Sequence, residues 1–198
     1  IPEEYGGSGL GLGEVITIVE PMGRYLFSSP LISTTLAAQA ILHWGSDDQK
    51  AQWLPKIVGG AVAALALTEP HGDWDLNNLT CTAVRNGGEI WLSGTKTFVT
   101  DAAWADVLVV SVFLDGEPAL VLVEASHLSE GALRREIVID ESRRSYSLDL
   151  HGVSVPAANF LPAVLLPHLH LAICLLYAAE MCGGIVGVIN LTLEYLTT

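Results

Sequence analysis

The chain has 198 residues, 51% of them hydrophobic and 16% charged, which excludes a disordered segment and leaves room for one or two domains with a real core. Its net charge of −13 makes it a poor partner for nucleic-acid phosphates. Cys81, Cys174 and Cys182 have no metal-ligand spacing, and the six histidines form no ligand cluster. The cysteines therefore read as reduced core residues in a reducing compartment, a bacterial-type cytoplasm in preference to a mitochondrial matrix.

Residues 1–13, IPEEYGGSGLGLG, form a Gly-rich loop. The opening has no basic n-region, as expected of a fragment. A phosphate-binding loop would need a preceding strand and a Lys-Ser/Thr ending, and neither is visible. Glu14 to Arg24 reads as a helix with Val15, Ile18, Val19 and Met22 on one face, kinked or stopped early by Pro21. After the break at Ser28-Ser29-Pro30, Leu31 to His43 reads as a second helix, Ala-rich and largely buried. Ser46-Asp47-Asp48-Gln49 is a capping box, and its two acids suit a helix N-terminus. That helix carries Trp53 and Leu54, meets Pro55, and ends by Gly59-Gly60.

From Ala61 to about Val155 the chain is strand-like. An apolar strand, Ala61 to Leu67, stops at Thr68-Glu69-Pro70, because Pro70 has no N–H and biases Glu69 away from helix. The loop His71 to Asn78 follows, at the kind of strand end where ligand contacts gather. Leu79, Cys81 and Ala83 then alternate with polar residues. Asn86-Gly87 is a hairpin signal, and Asp115-Gly116 joins Asp106–Phe113 to Pro118–Glu124 in another. Shorter strands are expected near Arg134–Ile139 and Ser145–Leu150, with a turn at His151-Gly152. Many short strands with frequent turns predict an antiparallel barrel or sandwich. The first hairpin returns Phe98-Val99-Thr100 toward Thr68, so two strand ends would face one cleft. A flat heterocycle could stack on Phe98 and bond to Thr68 and Thr100; a plain β-domain with ordinary turn residues accounts for the same spacing. Arg134, Arg135, Arg143 and Arg144 read as a solvated loop, a salt-bridged subunit contact, or a phosphate contact.

Phe160 to Thr198 reads as helical and very apolar. Phe160 to Ala179 is nearly long enough to span a membrane, but Pro162, Pro167, His168 and His170 and the lack of a basic flank favour a buried helix of a bundle. The whole is an α+β multidomain chain: a helical part over 1–60, a β-domain over 61–158 and a helical region over 159–198. The apolar tail needs a cover, which predicts an oligomer.

Several linked motifs also carry a resemblance. Thr68-Glu69-Pro70, Asp75, Gly94, Lys96, Phe98-Val99-Thr100 and Ala105-Asp106 stand in order without gaps. They resemble the middle domain of the acyl-CoA dehydrogenases, whose strand ends T-E-P, whose loop ends G-S-D and whose next strand reads G-x-K-x-(aromatic)-(Ile/Val)-(Thr/Ser). The opening, PEEYGGSGLG, and the run GSDDQKAQWLPKIVGG resemble the amino-terminal helical domain of the same family. Gly152 to Pro156 resembles its exit from the β-domain, and Glu180, Gly183, Gly184 and Gly187 resemble the first long helix of its carboxy-terminal domain.

The resemblance implies an antiparallel β-barrel middle domain between helical parts, with FAD as cofactor and Leu67, Thr68, Asp73, Trp74, Phe98, Val99 and Thr100 at the flavin. It implies α,β-dehydrogenation of an acyl-CoA (linear, branched or steroid side chain), a separate electron acceptor, and assembly as dimers or tetramers. Where the family has Gly-Ser, this chain has Asp73-Trp74. A carboxylate about 4 Å from a diphosphate charge is repelled by roughly 1 to 4 kcal/mol, and Trp74 offers only its indole N–H as a donor. The usual Glu base lies beyond the matched helix. Some members place it early in that helix, which falls near Tyr177 here. Glu180 is the nearest carboxylate, with structural pairing weighed against a role as base. Two readings follow: a dehydrogenase, or a non-catalytic structural partner in a heteromeric one.

Overall fold

A computed structural model describes residues 1–73, 75, 77–140, 142–162 and 166–197. Helices come first: α1 (Leu12–Arg24), α2 (Leu31–Trp44) and α3 (Asp47–Val58). Helix α1 runs through Pro21 without stopping, and its Glu14 carboxylate accepts the Gly11 N–H at 2.8 Å. The capping box of α3 is formed in both directions: Gln49 N–H donates to Ser46 Oγ at 3.2 Å, and Ser46 N–H donates to Gln49 Oε1 at 2.8 Å. Gln49 Nε2 also donates to the carbonyls of Ala158 and Phe160, at 2.6 and 3.0 Å. One buried amide thus caps its own helix and fastens it to the far end of the β-domain.

Among the described residues ten strands follow: β1 (Ala63–Ala66), β2 (Thr82–Asn86), β3 (Glu89–Ser93), β4 (Thr95–Thr100), β5 (Val107–Leu114), β6 (Glu117–Glu124), β7 (Leu133–Arg135), β8 (Ser145–Asp149), β9 (Ser154–Pro156) and β10 (Phe160–Pro162). They make two sheets. The larger runs β10-β6-β5-β2-β3-β9 with β1 also on β5; the smaller is β4-β8-β7. The expected order of helices, β-domain and helix is what forms; only the closed antiparallel barrel is not, because among the described residues the sheets do not close, and β1 and β2 both pair parallel to β5. Parallel partners lie far apart in sequence, so no hairpin signal announces them.

Strand β5 organises the core. Leu108, Val110, Val112 and Leu114 face a cluster that includes Val99 of β4 and Leu148 of β8. Val107 and Val109 face Ala37, Ile41, Trp53 and Leu54 of the helices. Both faces are covered, which is why the strand reads as a continuous apolar run instead of an alternation. At the second hairpin Asp115 and Gly116 both have positive φ (54° and 88°), the pattern of a type I′ turn. At the first hairpin Asn86 pairs with Glu89, so the turn residues are Gly87-Gly88, one position later than expected.

The segment expected as a strand over Arg134–Ile139 pairs only as far as Arg135, and Ile137 and Ile139 are fully exposed. Phe160–Pro162, expected as helical, is a strand on β6. Helix α4 (Leu166–Thr197) then crosses α1 at very close range. A Cβ on Gly183 would collide with the Glu20 carbonyl, and one on Gly23 with the Glu180 carbonyl. His168–Thr197 is long and apolar enough to cross a membrane by length and composition, and 11% of its most apolar stretch is buried. Cys81 is buried, but Cys174 and Cys182, expected in the core, lie exposed on α4.

Candidate functional site

Strand β1 leads into Leu67 and Thr68, and two hydrogen bonds tie this end to β4. Thr97 N–H donates to the Thr68 carbonyl at 3.0 Å, and the Thr68 hydroxyl donates to the Thr97 carbonyl. The two strand ends therefore do meet, as the spacing predicts. The Thr68 hydroxyl proton is already spent inside the protein, so that hydroxyl can only accept from a ligand.

Strand β4 is bulged. Its pairing with β8 shifts register between Lys96 and Val99, and Phe98 sits at φ 52°. A positive φ is uncommon for a bulky residue and signals a backbone held by its surroundings. Here the Phe98 N–H donates to Glu136 Oε2 at 3.0 Å, and Glu136 also accepts from Ser145 Oγ at 2.7 Å. The bulge turns Phe98 outward: its ring is 63% exposed, while Val99 beside it is fully buried. Thr100 is half-buried, with no hydrogen bond to its hydroxyl among the described residues. Thr97 Oγ1 is buried without a partner among them. An exposed aromatic face and a spare hydroxyl on one strand fit the edge of a flat, polar heterocycle. Leu67 and Val99 bury their side chains in the core and can offer a ligand only backbone.

The loop after Pro70 is closed on itself. Asp73 Oδ1 accepts from Asp75 N–H at 2.9 Å, and Oδ2 accepts from Asn78 Nδ2 at 2.6 Å. Its carboxylate is thereby committed in part to its own loop. Trp74 lies outside the described residues. Beneath the loop, Glu69 and Lys96 form a buried ion pair at 2.7 Å, and Lys96 Nζ also donates to Ser111 Oγ at 2.9 Å. Burial pushes the Glu69 carboxyl up, but hydrogen bonds from Lys96 and Thr80 and the Lys96 charge outweigh it and hold it at about 2. Burial pulls the Lys96 ammonium below its ordinary value, and pushes the Cys81 thiol up to about 11. Next to Cys81, Gly94 holds φ 126°, and a Cβ there would run into the Cys81 side chain. The G-x-K motif is thus steric at its Gly and ionic at its Lys.

A cavity of about 220 Å³ opens just past Thr100, lined by Ser28, Asp101, Trp104, Ser142, Arg144 and Tyr146. Arg144 lies 5.8 Å over the Trp104 ring, and Asp101 accepts the Ser33 hydroxyl of α2 at 2.6 Å. Arg143 instead pairs with Glu180, the carboxylate weighed as a base. An ion-paired, largely buried Glu180 serves to dock α4 onto the β7–β8 connection.

Comparison with known proteins decides what this frame is. Family models for the acyl-CoA dehydrogenase N-terminal and middle domains match residues 1–61 and 64–147. The chain belongs to the acyl-CoA dehydrogenase family. Acyl-CoA dehydrogenase FadE12 of Mycobacterium tuberculosis is 35% identical over 173 residues, covering 79% of this chain and 43% of that protein. The solved Tcur3481-Tcur3483 steroid ACAD superposes with a TM-score of 0.86 at 33% identity, over 99% of this chain and 53% of its own. The ChsE4-ChsE5 complex from Mycobacterium tuberculosis gives 0.85 at 25% identity, over 98% of this chain and 52% of that one. The chain thus spans about half the length of the relatives it matches.

The sequence announces the T-E-P turn and the meeting of its strand end with the β4 segment that carries Phe98 and Thr100. Sequence reading missed Glu136, which anchors the bulge, and Ser111, the third partner of Lys96. A lone polar residue inside the run Val107–Leu114 was the available signal for Ser111. Glu136 had none.

Proposed function

We propose that the chain provides the flavin-facing and thioester-facing surfaces of an acyl-CoA dehydrogenase. The observation that carries this is the bulge in β4, which presents the exposed Phe98 ring and the spare Thr100 hydroxyl beside the Thr68 strand end. Bound FAD would accept the hydride taken from the β carbon of an acyl-CoA. Phe98 would stack on its ring system, and Thr100 as donor and Thr68 as acceptor would hold its edge. Leu67 and Val99 contribute backbone. Asp73, with its carboxylate engaged by Asp75 N–H and Asn78, shapes the loop and does not grip the diphosphate.

The cavity past Thr100 takes the thioester side of the substrate, with Arg144 as a cation for a CoA phosphate. The likeness to FadE12 and to a steroid ACAD supports an acyl group of the fatty-acyl or steroid side-chain class. The α proton needs a carboxylate base. Glu180 is held by Arg143, so the base comes from residues other than Glu180.

The visible absorption spectrum of the purified protein, alone and with any co-purifying chain, tests this. Flavin bands near one per chain are expected. Flavin only with a second chain would make this a partner subunit of a heteromeric dehydrogenase. No flavin in either preparation overturns the proposal.

A further inference from the structure

Glu69 and Lys96 are buried charges that the proposed reaction does not use; they are 2% and 0% exposed. The Glu69 carboxylate collects donors from three segments. Oε1 accepts from Lys96 Nζ at 2.7 Å and from Cys81 N–H at 3.1 Å. Oε2 accepts from Thr80 N–H at 2.7 Å and from the Thr80 hydroxyl, and it lies 3.2 Å from His71 Nε2. His71 Nδ1 accepts the Asp73 N–H at 3.1 Å, which leaves the ring proton on Nε2 to be donated to Glu69. Both ends of the 71–80 loop are therefore fastened to one side chain. That side chain is fastened in turn to β4, two positions before the Phe98 bulge. Lys96 also reaches the Leu67 carbonyl at 3.4 Å, and Ser111 Oγ donates to the same carbonyl at 3.2 Å.

A buried ion pair is a weak device for stability alone, because an apolar or neutral pair of similar shape often serves as well. What this pair adds is geometry. We propose that Glu69 and Lys96 are positioning residues: together they fix the 71–80 loop relative to strand β4. The loop clamp stands by itself. Its effect on cofactor affinity rests on the flavin reading above.

The test uses Lys96→Met alone and the neutral pair Glu69→Gln with Lys96→Met, in the intact protein. Lys96→Met leaves an unpaired buried carboxylate and should lower Tm. The double variant removes that charge and should return Tm to near the wild-type value. If the pair positions the loop, hydrogen exchange of the amides over 71–81 stays at least tenfold faster in the double variant, with exchange elsewhere unchanged. FAD affinity stays at least tenfold weaker. Wild-type exchange and affinity in the double variant overturn the proposal, as does a rise in exchange spread evenly through the chain. A wild-type protein that binds no FAD defeats the flavin reading only, since the exchange comparison still decides the clamp.

Discussion

At the scale of single residues, two side chains govern what the site can do. Phe98 faces outward because Glu136 takes its N–H and the strand slips register around it. Replacing Phe98 by Ala removes the proposed stacking surface, and FAD binding should weaken about 3- to 10-fold, the loss expected of one aromatic contact, as read by fluorescence titration. Glu69 sets the acid limit. Its carboxyl is held at about 2 against an ordinary 4.5, so the folded chain binds fewer protons there than the unfolded one. That stabilisation is complete above 4.5 and is lost as pH falls from 4.5 toward 2. Denaturant unfolding across this range should show it, and Glu69→Gln should flatten the curve in that window. The turn at Pro70 is legible in the sequence because it acts through its own backbone; Phe98 is legible as an aromatic on a returning strand, but its outward turn depends on Glu136, 38 residues away. The Glu69–Lys96 pair is not: its members are 27 residues apart, and an isolated Glu or Lys reads as surface.

At the scale of elements, local rules hold best where the contact is short in sequence. The Ser46 cap was readable because both bonds span three residues. Ser46→Ala should cost about 1 kcal/mol of stability by urea denaturation, the usual value of such a cap. The α1–α4 crossing is the opposite case, since nothing in either helix says that Gly23 and Gly183 meet. Gly183→Leu would force backbone apart along the contact, and a loss of about 1–3 kcal/mol is expected by the same measurement. The sheet shows the same division. The Asp115-Gly116 turn declares β5 and β6, whereas the parallel pairings of β1 and β2 on β5 each join residues more than thirty positions apart and are invisible locally. The segment past Arg135 reads as strand from its Ile-Val-Ile composition, but beyond the Glu136 N–H bond to the Ser145 carbonyl it pairs with no strand among the described residues, and propensity alone does not make a strand.

At the scale of the whole molecule, the exposed apolar face of α4 dominates. Leu171, Met181, Ile185, Val188, Leu191 and Leu196 are all more than half exposed on one helix of 32 residues, ~48 Å long. A contiguous apolar surface of that length marks an interface. We expect the protein to sediment as a dimer or larger assembly at micromolar concentration, and a monodisperse monomer in light scattering would contradict this. Added salt should change the result little, since apolar burial and not charge pairing would hold the assembly.

The clamp beneath the 71–80 loop has one more consequence. A segment whose two ends are already pinned is free to vary between them, because each doubling of loop length costs only about 0.6 kcal/mol. Substitutions and insertions there should leave the sheet, the bulge and the core in place. Asp73-Trp74 stands in that tolerant interval, on a frame that has no need to register the change. Change in that interval should therefore cost the rest of the fold little.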